Sequence, residues 1–208
     1  MKILCVVRNY TPHANEMKAA PSAEPYFFLK PDTALLADGQ PLQYPAFSHD
    51  VQHEIELVVR IARPCHKIAP QEAHLYYDDI TLGIDFTARD LQQKAKEERM
   101  PWLLSKGFDG SAAVGQFVPL NQLGGNVDNL NFSLLRNGQT VQQGNSRDMI
   151  FPIRQLLSHL SQFITLSPGD LLFTGTPAGV GPVAPGDQLI GLLEDQQLLS
   201  VLITSGEC

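Results

Sequence analysis

Basic runs, cysteine pairs and long apolar segments are all missing from this chain, and each absence removes a class of function. The formal net charge is −7 and the pI is near 5.3. With no cluster of lysine and arginine, that balance argues against a nucleic-acid groove or an anionic membrane surface. Cys5, Cys65 and Cys208 are an odd, scattered set without metal or redox spacing, so no disulfide framework is expected and Cys5 reads as core. The apolar stretch over residues 3–7 is too short for a secretory signal, and no later run approaches the about 20 residues of a membrane span. A cytoplasmic protein with neither nucleic acid nor membrane as partner is the expectation. What remains is a chain of 208 residues, 43% hydrophobic, which can bury a sizeable core. No break in composition, repeat or low-complexity segment divides it, so residues 1–208 read as one domain.

Turn chemistry cuts the chain into short strands with few helices. Asn137-Gly138 between Leu134-Leu135 and Val141 reads as a hairpin turn, and the Pro-Gly-Asp steps at 168–170 and 185–187 each lead into another strand. One helix is expected from Thr87 through Gln92 to Glu98, capped with help from Asp90 and stopped by Pro101. A second opens at Pro152, with Leu156, Leu157, Leu160, Phe163 and Ile164 as an apolar stripe facing the core. Residues 175–182 hold too much glycine and proline for regular structure; they read equally as a loop presenting N–H groups to an anion or as a spacer.

Acidic residues stand where a core strand wants hydrocarbon. In 54–61, Ile55, Leu57, Val59 and Ile61 alternate with Glu54, Glu56, Val58 and Arg60, the two-residue period of a strand. Glu54 and Glu56 then point the same way. Asp85, in Gly83-Ile84-Asp85, is a third carboxylate in a similar apolar frame. Like charges in a partly buried place shift a pKa or recruit a cation, and hard oxygen donors without nearby cysteine suit magnesium, manganese or calcium better than zinc. His13 and Glu16, three apart after Pro12, share one side of a helical turn, and a histidine oriented by a carboxylate is a ready general base. Lys30 and Lys106 each lie beside aromatic and turn residues, where an ammonium can meet an anionic substrate or a developing oxyanion.

Together these segments resemble the fumarylacetoacetate hydrolase family, in its short single-domain branch. The resemblance runs through Arg8-Asn9-Tyr10 with His13 and Glu16, Lys30-Pro31-Asp32, His53-Glu54-Ile55-Glu56, Gly83-Ile84-Asp85 with Thr87-Ala88-Arg89-Asp90-Leu91-Gln92, Lys106-Gly107-Phe108-Asp109, Met149-Ile150-Phe151-Pro152 and Thr174-Gly175-Thr176-Pro177. Val7 stands where the family usually has glycine, and Ser111 and Ala113 replace a bulkier residue and a proline.

The resemblance implies an α+β, predominantly β domain, a mixed β-sandwich roll with a few short helices, usually as a homodimer. It implies Glu54, Glu56 and Asp85 as ligands of Mg2+ or Mn2+, with Ca2+ able to take the same place in crystals. His13 and Glu16 match the catalytic dyad, Lys106 the lysine that stabilises an enolate-like leaving group, and Lys30 the one that orients the attacking water. Arg8, Gln92 and Thr176 match substrate contacts. The activity implied is hydrolysis of a carbon–carbon bond in small 2,4-diketo acids, acylpyruvates, releasing pyruvate. Keto–enol tautomerisation or decarboxylation of oxaloacetate would use the same site, and a non-catalytic metal- or ligand-binding module is the remaining alternative. Residues 10–25 carry the dyad between two prolines with little apolar periodicity, and read as a possible mobile lid.

Overall fold

A computed structural model describes residues 1–11, 22–124 and 126–206. The Glu-x-Glu segment becomes the strand Ile55–Ile61, and it lies in the middle of a sheet. Its neighbours are Leu171–Phe173 on one side and Tyr77–Asp85 on the other, both antiparallel. Beyond Leu171–Phe173 come Ile3–Val6, in parallel, and then the edge strand Phe27–Lys30. Beyond Tyr77–Asp85 come Ala112–Val114 and, in parallel, Leu35–Ala37, so the sheet is mixed.

Because this strand is central, both of its faces are covered. Ile55, Leu57, Val59 and Ile61 point into the main core with Leu82, Ile84, Leu189, Leu199 and Val201, as the alternation requires. The second face is not solvated: Val58 packs there with Ile3, Cys5, Ala112 and Phe173. Glu54 and Glu56 share that second face, beyond the end of this smaller apolar cluster. A second sheet runs in the order Gln139–Asn145, Asn131–Arg136, Gln188–Leu193, Gln196–Thr204 and Leu42–Gln43, and closes over the main core. A third, small sheet joins Gly181–Pro182, Val51–His53 and Thr87–Ala88. The fold is thus predominantly β, with few helices.

The turn readings correspond to observed connections. Asn137 and Gly138 both have positive φ, 53° and 79°, and join the Asn131–Arg136 and Gln139–Asn145 strands. Two helix readings need correction. Thr87 and Ala88 do not begin the helix: they form a short strand against Val51 and Gln52, and the helix spans Arg89–Glu97. Asp90 is used as expected, accepting from the Leu91 N–H, but it also ties Ser48 and His49. The helix Ile153–Ser161 does follow Pro152, and Leu156, Leu157 and Leu160 are buried. Phe163 lies beyond its end and is 72% exposed, since the stripe stops with the helix. Residues 12–21, which include His13, Glu16 and most of the expected lid, fall outside the described residues, as does Cys208.

Gly83 lies opposite Glu56 in the ladder, where a Cβ would come 2.6 Å from Phe173 Cε1 and 2.8 Å from the Ala113 carbonyl oxygen. The carbonyl belongs to the neighbouring strand and cannot swing away. Gly83→Ala is therefore expected to lower stability by about 1–3 kcal/mol, read as a shift of the urea midpoint. An unchanged midpoint would show that the two strands can separate at no cost.

Candidate metal centre and substrate cavity

Three carboxylates converge where the two central strands end. The backbone N–H of Asp85 donates to the Glu54 carbonyl at 2.8 Å, so the two residues are neighbours across the ladder, and Glu56 lies two residues further on the same face. Ligand oxygens of Glu54, Glu56 and Asp85 all lie within 4.8 Å of one another, and all three side chains are buried. Such a cluster repels itself unless cations intervene. Burial first, and then the charges of Asp85 and Glu54, push the Glu56 carboxyl well above the usual range, although the Gly175 N–H donates to it at 2.6 Å.

The cations come from three separate elements. Lys106, at the end of the helix Leu103–Lys106, donates to Glu54 Oε2 and Asp85 Oδ2 at 2.7 Å each and to Thr87 Oγ1 at 2.6 Å. Burial alone works against this ammonium, but Asp85 and Glu54 outweigh it and hold Lys106 above the ordinary lysine range. Arg89, in the first turn of its helix, reaches Glu54 Oε1 at 2.5 Å and braces itself on Gln52 at 2.8 Å and Gln92 at 2.7 Å. Lys30 approaches Asp85 Oδ1 to 2.8 Å from behind.

Placement divides the residues singled out from sequence. A cavity of about 270 Å³ opens beside the carboxylates and is lined by Arg8, Gln92, Lys106 and Thr176 as well as all three acids. Lys30 does not line it. Its ammonium is fully buried and is used on Asp85, on the Ser111 carbonyl and hydroxyl at 2.9 and 3.0 Å, and on the Lys106 carbonyl. In this structure the ammonium thus holds Asp85 and the Lys106 turn in place. Arg8 reaches the cavity from a backbone with φ of 55°, a conformation that costs an ordinary residue about 1–2 kcal/mol. Gly175, at φ of 96°, packs so closely on Asn9 that a Cβ would fall 2.6 Å from the Asn9 Cβ.

Four further residues belong to the site. Arg89 was visible in the motif but carried no role; Lys96 and Trp102 line the cavity, and Gln142 lies behind it. Gln142 Oε1 accepts from the Ile55 N–H at 3.1 Å and His53 Nδ1 at 2.8 Å, while its amide donates to Thr176 Oγ1 at 2.9 Å and the Pro177 carbonyl at 3.1 Å. An N–H can only donate and a carbonyl can only accept, so this amide has one orientation and His53 must carry its proton on Nδ1. Burial lowers the His53 pKa, in keeping with a neutral ring. Lys96 had a signal in the sequence: Arg89, Gln92 and Lys96 follow i, i+3, i+7 spacing on one helix face. Gln142 had none, because it comes from a distant strand.

A model of the "Fumarylacetoacetate (FAA) hydrolase C-terminal" family matches residues 2–203. This chain belongs to the fumarylacetoacetate hydrolase family. It is 40% identical over 187 residues to the human protein named oxaloacetate tautomerase FAHD1, mitochondrial, covering 90% of this chain and 84% of that one. It is 39% identical over 188 residues to oxaloacetate tautomerase YcgM of Escherichia coli, covering 90% and 86%. Its fold superposes on a crystal structure of fumarylpyruvate hydrolase from Pseudomonas aeruginosa, in complex with Mn2+ and pyruvate, with a TM-score of 0.92 and 37% identity over 99% of this chain and 90% of that one. Among the described residues, no helix is long and apolar enough to cross a membrane.

The donor set fits a divalent cation. All three donors are hard oxygens, and Asp85 Oδ1 is buried with no hydrogen-bond donor aligned on it, its contact with Lys30 being an ion pair only. A bound ion needs Glu56 as carboxylate, so in its absence the raised pKa retains a proton that binding must expel. Affinity for Mg2+ or Mn2+ is therefore expected to rise with pH until that raised pKa is passed, and to flatten above it. Calorimetry in buffers of differing ionisation heat should register proton release, and Glu56→Gln should remove it. Binding heats that ignore the buffer throughout the acid range would contradict this.

Proposed function

We propose that this chain is a divalent-metal-dependent enzyme of small 2-oxo acids, and that its reaction is keto–enol tautomerisation of oxaloacetate, with decarboxylation accessible at the same site. The observation that carries this reading is the buried Glu54–Glu56–Asp85 cluster, bridged by Lys106 and opening into a cavity with Arg8 and Arg89. Similarity to two proteins named oxaloacetate tautomerase supports it over the acylpyruvase reading. Carbon–carbon hydrolysis of an acylpyruvate remains the second reading, favoured by the likeness to fumarylpyruvate hydrolase.

A divalent ion held by Glu54, Glu56 and Asp85 supplies Lewis acidity and a template for a chelating 2-oxo carboxylate. Everything else follows from the chain. Tautomerisation breaks a C3–H bond, moves its electron pair into a C2–C3 double bond and leaves charge on the carbonyl oxygen. Lys106 would stabilise that charge through the positive charge of its ammonium, whose three N–H groups are given to Glu54, Asp85 and Thr87 and so fix its position before the reaction begins. Gln142 donates to the Thr176 hydroxyl, which lines the same cavity. The proton is taken and returned by His13 paired with Glu16, a part of the proposal that lies outside the described residues. In hydrolysis the same dyad would activate water against the distal carbonyl instead. The proposal includes a homodimer.

With Mg2+ or Mn2+, the protein should accelerate the decay of oxaloacetate enol absorbance, and excess chelator should abolish the effect. Lys106→Met should reduce the rate of the metal-loaded chain by about 100-fold or more, and should also lower its stability by unpairing Glu54 and Asp85. Full activity in chelator, or no acceleration in saturating metal, overturns the proposal. Pyruvate release from fumarylpyruvate without enol decay would select the second reading.

A further inference from the structure

Among the described residues, the lining of the cavity carries more cationic than anionic side chains. Arg8, Arg89, Lys96 and Lys106 all line it, against Glu54, Glu56 and Asp85. Arg89 and Lys106 are taken up by those acids. Arg8 and Lys96 are not: neither forms an ion pair with a carboxylate among the described residues. Among the described residues, four lining cations face three carboxylates, with Lys30 buried on Asp85 besides, and a bound divalent ion would add two further positive charges. A substrate with one carboxylate leaves most of that excess standing, whereas a second carboxylate brings the site nearer to balance.

Lys96, one of the two spare cations, stands on an aromatic wall. Lys106 Nζ stands 5.2 Å from the centre of the Phe28 ring, Phe28 meets Trp102 edge-on at 6.3 Å, and Lys96 Nζ stands 5.6 Å from the centre of Trp102. Lys106 and Lys96 therefore each stand over one ring of a linked aromatic pair, and Lys106 is the one bonded to the metal-ligand acids. Lys96 is an exposed residue whose ammonium stands over Trp102, and burial, then Arg89, and more weakly Lys106 and Arg8, hold its pKa down against the opposing charge of Glu54. Arg8 lines the same cavity from a left-handed backbone, a strain that persists where the surroundings impose it.

We propose that Lys96, together with Arg8, reads a second carboxylate at the far end of the substrate, so that this chain selects dianionic 2-oxo acids over those ending in an alkyl group. The inference rests on the 2-oxo acid reading above and makes Lys96 a specificity-determining residue of the same site.

Trp102 is the sole tryptophan of the chain, so its fluorescence, read immediately after mixing, reports ligand at this wall by a signal separate from the reaction rate. The Mg2+-loaded full chain would be titrated with oxaloacetate and with 2-oxobutyrate, two four-carbon 2-oxo acids that differ in a terminal carboxylate against a methyl group. The wild type should bind oxaloacetate at least about tenfold tighter, the scale of one charge-assisted contact. Lys96→Met should collapse that preference, and Lys96→Arg should retain most of it. Equal affinity of the wild type for both ligands would overturn the role of Lys96 while leaving the 2-oxo acid reading intact. So would a Lys96→Met chain that keeps the full preference, or one that loses affinity for both ligands in proportion. If neither ligand binds, both readings fall together.

Discussion

Repulsion among three buried carboxylates is the constraint to which the rest of the site answers. An isolated buried carboxylate carries a penalty of several kcal/mol, and here Glu54, Glu56 and Asp85 are brought within 4.8 Å of each other. The chain meets that penalty with Lys106, Lys30 and Arg89, delivered by a short helix, an edge strand and the start of a second helix. Each of these cations also fixes an acid in place. Glu56 is the exception, held by one backbone N–H and pushed toward its neutral form. A divalent ion would resolve that remaining strain, and the donor chemistry is what such an ion prefers.

The fold exists, in this sense, to hold the carboxylates steady without solvating them. Two covered sheet faces keep water from the strand that carries Glu54 and Glu56, and glycines at 83 and 175 let neighbouring backbone approach where a side chain would not fit. Gln142 ties the Glu54 segment to the Thr176 loop with all four of its hydrogen-bonding positions used. The cluster and the substrate wall are thereby joined through one amide, and a buried network satisfied this fully fixes a single geometry.

Local pattern made much of this legible. The alternation around Ile55 put both glutamates on one face, and the Asn-Gly and Pro-Gly-Asp steps marked real connections. Pattern failed where tertiary context decided the outcome. Thr87 and Ala88 suit a helix start, but pairing with Val51 and Gln52 draws them into a strand. Phe163 continues an apolar stripe only if the helix continues, and it does not. Lys30 matched a family position, yet its partners on Ser111 and Asp85 are 81 and 55 residues away, so nothing local revealed that its ammonium faces away from the cavity. Gln142 was illegible for the same reason, whereas Lys96 shared a helix face with Gln92 and was available to closer reading.

Anomalous diffraction from crystals grown with saturating Mn2+ tests the central claim most directly. One strong peak within coordinating distance of Glu54, Glu56 and Asp85 together, with Lys106 still hydrogen-bonded beside it, is the result expected. No peak at that position, or an ion ligated elsewhere while Lys106 alone bridges the acids, would mean that the cluster is a buried ion-pair network and no metal centre.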